Sequence, residues 1–254
     1  MRWNKAFMVS MGMAMFLSFQ AQASALQYVM PDYYLGQLVR GILKVASKTS
    51  HPEYQVLNAP EAQKKAQAAL QKIYQYPAFD YTYNKVSIVI IKGIEGEPNG
   101  FAFGNNIFIT QSMTEVLSSE QLTAVIAHEL AHSEKAHHMQ KTPLPLGAIV
   151  YQLKNIYESV KAGKWPKGRD LVASIQELIY TGGLAMELQA DCIAAQQLEH
   201  MKSKGLTNRA TDLNSATSAL MGFDVTTDNS DDPSAIRARA LVNKVYEQGS
   251  CDIF

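Results

Sequence analysis

The sequence predicts an α+β fold that is mainly helical, with one small antiparallel β-sheet. Three observations carry this expectation. Apolar residues recur at helical spacing through most of the chain. A single β-branched run, followed by a turn-rich stretch, reads as the sheet. Directly after it, the sequence His128-Glu129-Leu130-Ala131-His132 falls inside a strongly capped helix. At 254 residues, 47% hydrophobic and 18% charged, the chain is long enough for one domain with a sizeable core, and its composition is that of a folded protein.

Residues 1–23 read as a signal peptide. Arg2 and Lys5 form a positive start, Ala6 to Phe19 an apolar run, and Ala21-Gln22-Ala23 a small-residue cleavage site. The run is short and contains Ser10 and Ser18, which argues against an uncleaved anchor. Residues 24–254 are then a single mature domain. No cysteine lies near the cleavage point to accept a lipid, so the expected location is the periplasm, with no membrane span in the mature chain. Removing residues 1–23 takes away Arg2 and Lys5 and no acid, so 23 basic residues become 21 against 23 acidic. Such a balance offers no electrostatic case for nucleic acid. Cys192 and Cys251 are the only cysteines, and an oxidising compartment would let them pair if their backbones approach.

Each element follows from its local pattern. Leu35 to Ser47 and Ala62 to Tyr76 carry apolar residues at helical spacing and predict two packing helices. Lys85 to Lys92, with Val86, Ile88, Val89, Ile90 and Ile91, predicts a buried strand that ends in the Gly93 to Gly100 stretch. Phe101 to Phe103 and Ile107 to Thr110 predict a hairpin around Gly104-Asn105-Asn106. Ser118 and Gln121 have capping-box spacing, and the helix they start is expected to run to Gln140. Leu122, Val125, Ile126 and Leu130 cover one side of that helix and put His128 and His132 at the margin of the apolar arc, a position suited to lining a cleft. Pro143 and Pro145 end it. Leu146 to Val160 is amphipathic and too short to span a bilayer; with the turn that follows, it is a candidate lid. Leu171 to Met201, Ala210 to Met221 and Pro233 to Glu247 predict further helices.

An H-E-x-x-H on a helix sets two imidazoles one turn apart, so both can grip one metal ion, with the glutamate between them placed as a general base toward water. A catalytic zinc takes three protein ligands, so the third decides the class. His138 stands six residues after His132, the metzincin spacing, but Lys135 replaces the expected glycine and an unbroken helix turns His138 about 120° away. The competing candidate is Glu187, with Asp191 one turn later able to accept a hydrogen bond from a ligand imidazole.

The run Asn99-Gly100-Phe101-Ala102, then Ile107 to Thr110, Leu122 to His132, His137, and Glu187-x-x-Ala190-Asp191 resembles the HtpX-like and CAAX-prenyl-protease family of zinc metallopeptidases. Its secreted bacterial members, the BepA and LoiP type, are nearest in layout. The resemblance covers residues 35–247, and its most specific part is the pairing of H-E-x-x-H with the downstream E-x-x-A-D. It implies a gluzincin fold beside a small antiparallel sheet and one Zn2+ per chain held by His128, His132 and Glu187. Glu129 would be the general base and Asp191 a support. It also makes Asn99, Gly100, Phe101 and Ala102 part of an edge strand on which extended protein substrates could pair. His137 matches a histidine common in the family, but on an unbroken helix it faces about 140° from His132, which reads as structural.

Two departures stand out. Gly183-Leu184 replaces a Ser-Arg usual before the glutamate ligand, and Asp232 stands where the family carries a histidine near the zinc, with Arg237 following. An ionised carboxylate cannot donate to an oxyanion, so that role would pass to Arg237 or another group, and Asp232 could hold the enzyme latent. The expected function is therefore a periplasmic zinc endopeptidase acting on proteins, with envelope quality control and outer-membrane assembly components implied by the resemblance. The alternatives are a zinc-containing chaperone or assembly factor with weak peptidase activity, and a structural protein whose motif is accidental.

Overall fold

The computed structural model describes residues 36–44, 55–79, 81, 86–93, 98–135, 137, 154–159, 161–162, 184–206 and 251. The expected signal peptide, His138, the helices over 210–221 and 233–247, Asp232 and Arg237 lie outside the described residues. Within them the chain is mainly helical around a three-stranded sheet.

Helix α1 (Pro60–Gln75) opens on a proline, whose missing N–H is no loss in a first turn. It buries Ala62, Ala66, Ala69, Leu70 and Ile73, the three-and-four spacing the sequence carried. Strand β1 (Ser87–Ile91) follows, then β2 (Gly100–Phe103) and β3 (Asn106–Thr110). The hairpin turns at Gly104, whose φ of 56° is a left-handed conformation that glycine adopts without penalty. β2 and β3 pair antiparallel, Phe101 opposite Phe108.

The sheet is mixed, and this corrects the antiparallel expectation. β1 pairs parallel with β3, Ile88 beside Ile107, giving the order β1-β3-β2. Burial explains the order. Every residue of β3 is buried, whereas Gly100 and Ala102 of β2 are only partly so. The strand with most apolar surface to hide takes the centre, antiparallel to its hairpin partner β2 on one side and parallel to β1 on the other. β2 is left at an edge. The far side of β1 is closed by Gln55 to Leu57, with Leu57 N donating to Ile90 O and Lys92 N to Gln55 O. Ile88, Ile90, Ile107 and Ile109 join one core with α1 and the two helices that follow, each fully buried isoleucine contributing roughly 1.5–3 kcal/mol.

Helix α2 (Gln111–Val116) was not expected from the periodicity. Thr110, the last residue of β3, caps it by accepting from Met113 N, and Lys65 of α1 donates to Thr114 O and Leu117 O at its far end. Helix α3 (Ser119–Glu134) starts at the predicted capping box: Ser118 accepts from Gln121 N, and the Gln121 side chain accepts from Ser118 N. It ends at Glu134, earlier than expected. Nor is it amphipathic. Packed against α1, β2, β3 and helix α4 (Leu184–Ser203), it buries residues on nearly every side. Ala124, Ala127 and Ala131 of α3 and Ala190, Ala194 and Ala195 of α4 are small enough for such close approach.

Helix α4 ends in a Schellman arrangement, with Gly205 at φ 70°, Leu206 N donating to Met201 O and Gly205 N to Lys202 O. Its Gln197 fastens it to the end of α1: the amide oxygen accepts from Ala78 N and from the Tyr81 hydroxyl, and the amide nitrogen donates to Tyr76 O. No helix among the described residues is long and apolar enough to cross a membrane.

Burial, with the charge of Glu134 adding, pushes the phenols of Tyr74 and Tyr81 above their ordinary value of 10, Tyr74 to about 12. Above pH 10 an unfolded chain ionises these tyrosines while the folded chain keeps them neutral, so the unfolded state binds fewer protons and stability falls with pH. This contribution is present in full below pH 10 and is lost as the pH rises through about 12. Melting temperatures across that window are expected to fall, and to fall less steeply in a Tyr74→Phe variant.

Candidate metal centre

One turn apart on α3, His128 and His132 present their rings edge to face, with centroids 4.7 Å apart. Their Nε2 atoms converge to 3.0 Å. From the first turn of α4, Glu187 brings Oε2 to 3.3 Å from His128 Nε2 and Oε1 to 3.5 Å from His132 Nε2. One ligand atom from each of the three lies within 4.8 Å of the others, an arrangement able to hold a metal ion. Asp191, one turn further along α4, places Oδ1 2.8 Å from His128 Nδ1. The packing of the α3 and α4 alanines sets the distance that lets a carboxylate of one helix reach the histidines of the other.

The site's chemistry suits a cation. Glu187 is 7% exposed, and burial alone would keep its carboxyl protonated; the close approach of the His128 and His132 imidazoles overturns that and holds it well below the usual carboxylate range. The Nδ1 atoms face away from Glu187, that of His128 toward Asp191 Oδ1 and that of His132 toward His137 Nδ1, which leaves Nε2 of each for a metal. Two imidazole nitrogens and one carboxylate oxygen form a three-ligand set of the kind a catalytic zinc takes.

Glu129 lies between the histidines on α3, 9% exposed, with neither an ion pair nor a side-chain hydrogen bond among the described residues. The edge strand β2, which pairs only with β3 among the described residues, also packs against α3. Asn99 extends that pairing: its N–H donates to Thr110 Oγ1 and its carbonyl accepts from Thr110 N. Phe101 stacks on Phe108 with ring centroids 4.8 Å apart, and Ala102 packs on the main core.

His137 departs from expectation. An unbroken helix would have turned it away from His132, but α3 ends at Glu134 and the chain beyond Lys135 brings His137 Nδ1 to 2.9 Å from His132 Nδ1. Its Nε2 lies 2.7 Å from Gln189 Oε1 on α4. Burial, and then repulsion from His132, push the His137 imidazole down to about 4, so it is neutral at neutral pH. Gln189 was passed over in the sequence because it lies between Glu187 and Asp191, and only its neighbours carry the motif.

Residues 60–222, more than half of the chain, match the model of Peptidase family M48. The chain belongs to that family. The match includes α1, the sheet, the two histidines, Glu129, Glu187 and Asp191, so the convergence of ligands falls inside the M48 domain. A metallopeptidase hydrolase acting on protein or peptide substrates follows from membership, and the accidental-motif reading does not survive it. No curated protein matches the chain individually.

Proposed function

We propose that the protein is an exported zinc endopeptidase of the BepA and LoiP type, with residues 1–23 a signal peptide and 24–254 a single periplasmic domain. What carries this reading is the meeting of His128, His132 and Glu187 within 4.8 Å in an M48 chain, with Asp191 on His128 Nδ1. Bound there, one Zn2+ per chain would polarise the scissile carbonyl and acidify a water. Glu129, beside the two histidines, is the residue that would act as general base toward water and then donate the proton to the leaving amine. Asp191 holds His128 in the tautomer that frees Nε2. Among the described residues β2 is an edge strand, and its main chain at Gly100 to Ala102 would pair with an extended substrate, which suits an enzyme that accepts varied unfolded sequences. Misassembled envelope proteins, among them outer-membrane assembly components, fit such a preference, and the Cys192–Cys251 disulfide supports an oxidising compartment.

Asp232, in place of the family's histidine, favours one second reading, a zinc-bound chaperone or assembly factor of weak peptidase activity, with Arg237 as the remaining donor for an oxyanion. One preparation separates the two. Mature protein is expected to contain one zinc per chain and to cut an unfolded casein-like substrate, with cleavage stopped by a chelator and restored by zinc. Protein that holds zinc and suppresses aggregation without cutting selects the second reading, and protein without stoichiometric metal sinks both.

A further inference from the structure

The two histidines of the centre are braced differently. His128 Nδ1 meets a carboxylate, Asp191 Oδ1, at 2.8 Å. His132 Nδ1 meets the ring nitrogen of His137 at 2.9 Å, His137 Nε2 meets Gln189 Oε1 at 2.7 Å, and Gln189 Nε2 donates to the Cys251 carbonyl at 3.0 Å. That last residue is bonded through its sulfur to Cys192 on α4.

With both imidazoles neutral, as a metal on His132 Nε2 requires of that ring, one arrangement of protons satisfies this line. The Cys251 carbonyl can only accept, so the Gln189 amide nitrogen faces it and the Gln189 oxygen faces His137. An amide oxygen can only accept, so His137 carries its proton on Nε2 and presents a bare Nδ1 to His132. His132 must then donate from Nδ1, which leaves its Nε2 lone pair directed at Glu187 and His128. Every link fixes the next, and the free end is the atom that a metal needs.

We propose that His137 and Gln189 are positioning residues for His132, a relay anchored on the Cys251 carbonyl that locks His132 in its metal-binding tautomer. The inference rests on the zinc reading above. It accounts for a turn at Lys135 that returns His137 to the centre, and for an amide at position 189, where both an acceptor and a donor are used. Unlike Asp191, the relay adds no charge. It orients His132 without a second carboxylate beside Glu187.

Zinc affinity tests it, measured by competition with a chromophoric chelator, alongside melting of the metal-free proteins. Parent, His137→Phe, Gln189→Leu and Gln189→Glu are compared. His137→Phe and Gln189→Leu are expected to bind zinc about 10–100-fold more weakly than the parent. Gln189→Glu still offers His137 an acceptor and is expected to bind zinc more tightly than Gln189→Leu. A purely structural network would lower the metal-free melting temperature and leave the zinc affinity alone; that result, or equal affinity in the Leu and Glu variants, overturns the proposal. Should Gln189→Leu not fold, parent-like zinc affinity in His137→Phe overturns it, and a 10-fold or greater loss there beside a smaller one in Gln189→Glu upholds it. A parent that binds no zinc refutes the zinc reading instead.

Discussion

Replacing Glu129 with glutamine is expected to cut peptide-bond hydrolysis by about 10²–10⁴-fold, the usual contribution of a positioned general base, while leaving metal content unchanged. Three features combine in that expectation. Glu129 sits between His128 and His132 on α3, so the same helix that offers the metal two nitrogens also holds this carboxylate. It is 9% exposed, and no partner among the described residues competes for it. It also lies outside the set that converges as ligands, His128, His132 and Glu187. Glutamine keeps the shape and the hydrogen-bonding amide but cannot take a proton at neutral pH. The loss should therefore fall on kcat, with zinc still at one per chain and the melting temperature near that of the parent. Cleavage of an unfolded model protein, read together with metal analysis of the same sample, checks it. Parent-like turnover would remove Glu129 from the chemistry, and lost zinc would show that its role is to hold the metal.

How far the sequence discloses such a site depends on the range of the signal. The α3 start was legible because Ser118 and Gln121 cap it within four residues, and the hairpin was legible because Gly104 supplies a left-handed turn between two apolar runs. The meeting of Glu187 with the two histidines was legible through the family resemblance, which pairs H-E-x-x-H with E-x-x-A-D; taken alone, Glu187 and Asp191 read as an ordinary helix face. The parallel pairing of β1 with β3 was not, because strand order is decided by which strand finds most cover, a property of the whole packing. The burial of α3 on nearly all sides was hidden for the same reason. Its alanines read as neutral in a pattern of apolar and polar residues, yet they are what let α4 come close. His137 was misread through a local error: continuing the helix past Lys135 swung the residue away from the centre, whereas the actual end at Glu134 returns it.

Removing the disulfide is expected to produce a large loss of stability. Cys192 and Cys251 are bonded, with Cα atoms 5.7 Å apart and a sequence separation of 59. Closing a loop of that length removes conformational entropy from the unfolded chain equivalent to about 4 kcal/mol. Cys192→Ala with Cys251→Ala should thus lower the denaturation midpoint without a change in the slope if the unfolded state stays as open. In a domain of this size such a loss corresponds to a fall in melting temperature of roughly 10 °C. The effect should also reach the centre. Gln189 donates to the Cys251 carbonyl, and that carbonyl is kept near α4 by the bond to Cys192, one turn beyond Gln189. Freed of the bond, residue 251 has fewer constraints to keep it there, so zinc affinity should fall as well, by no more than in Gln189→Leu. The two losses separate the bond's roles. A lower midpoint with unchanged zinc affinity would make it a staple of the fold alone, and unchanged values of both would show that the contacts of Cys251 with Ala131, Ala190 and Ile193 hold this corner without it.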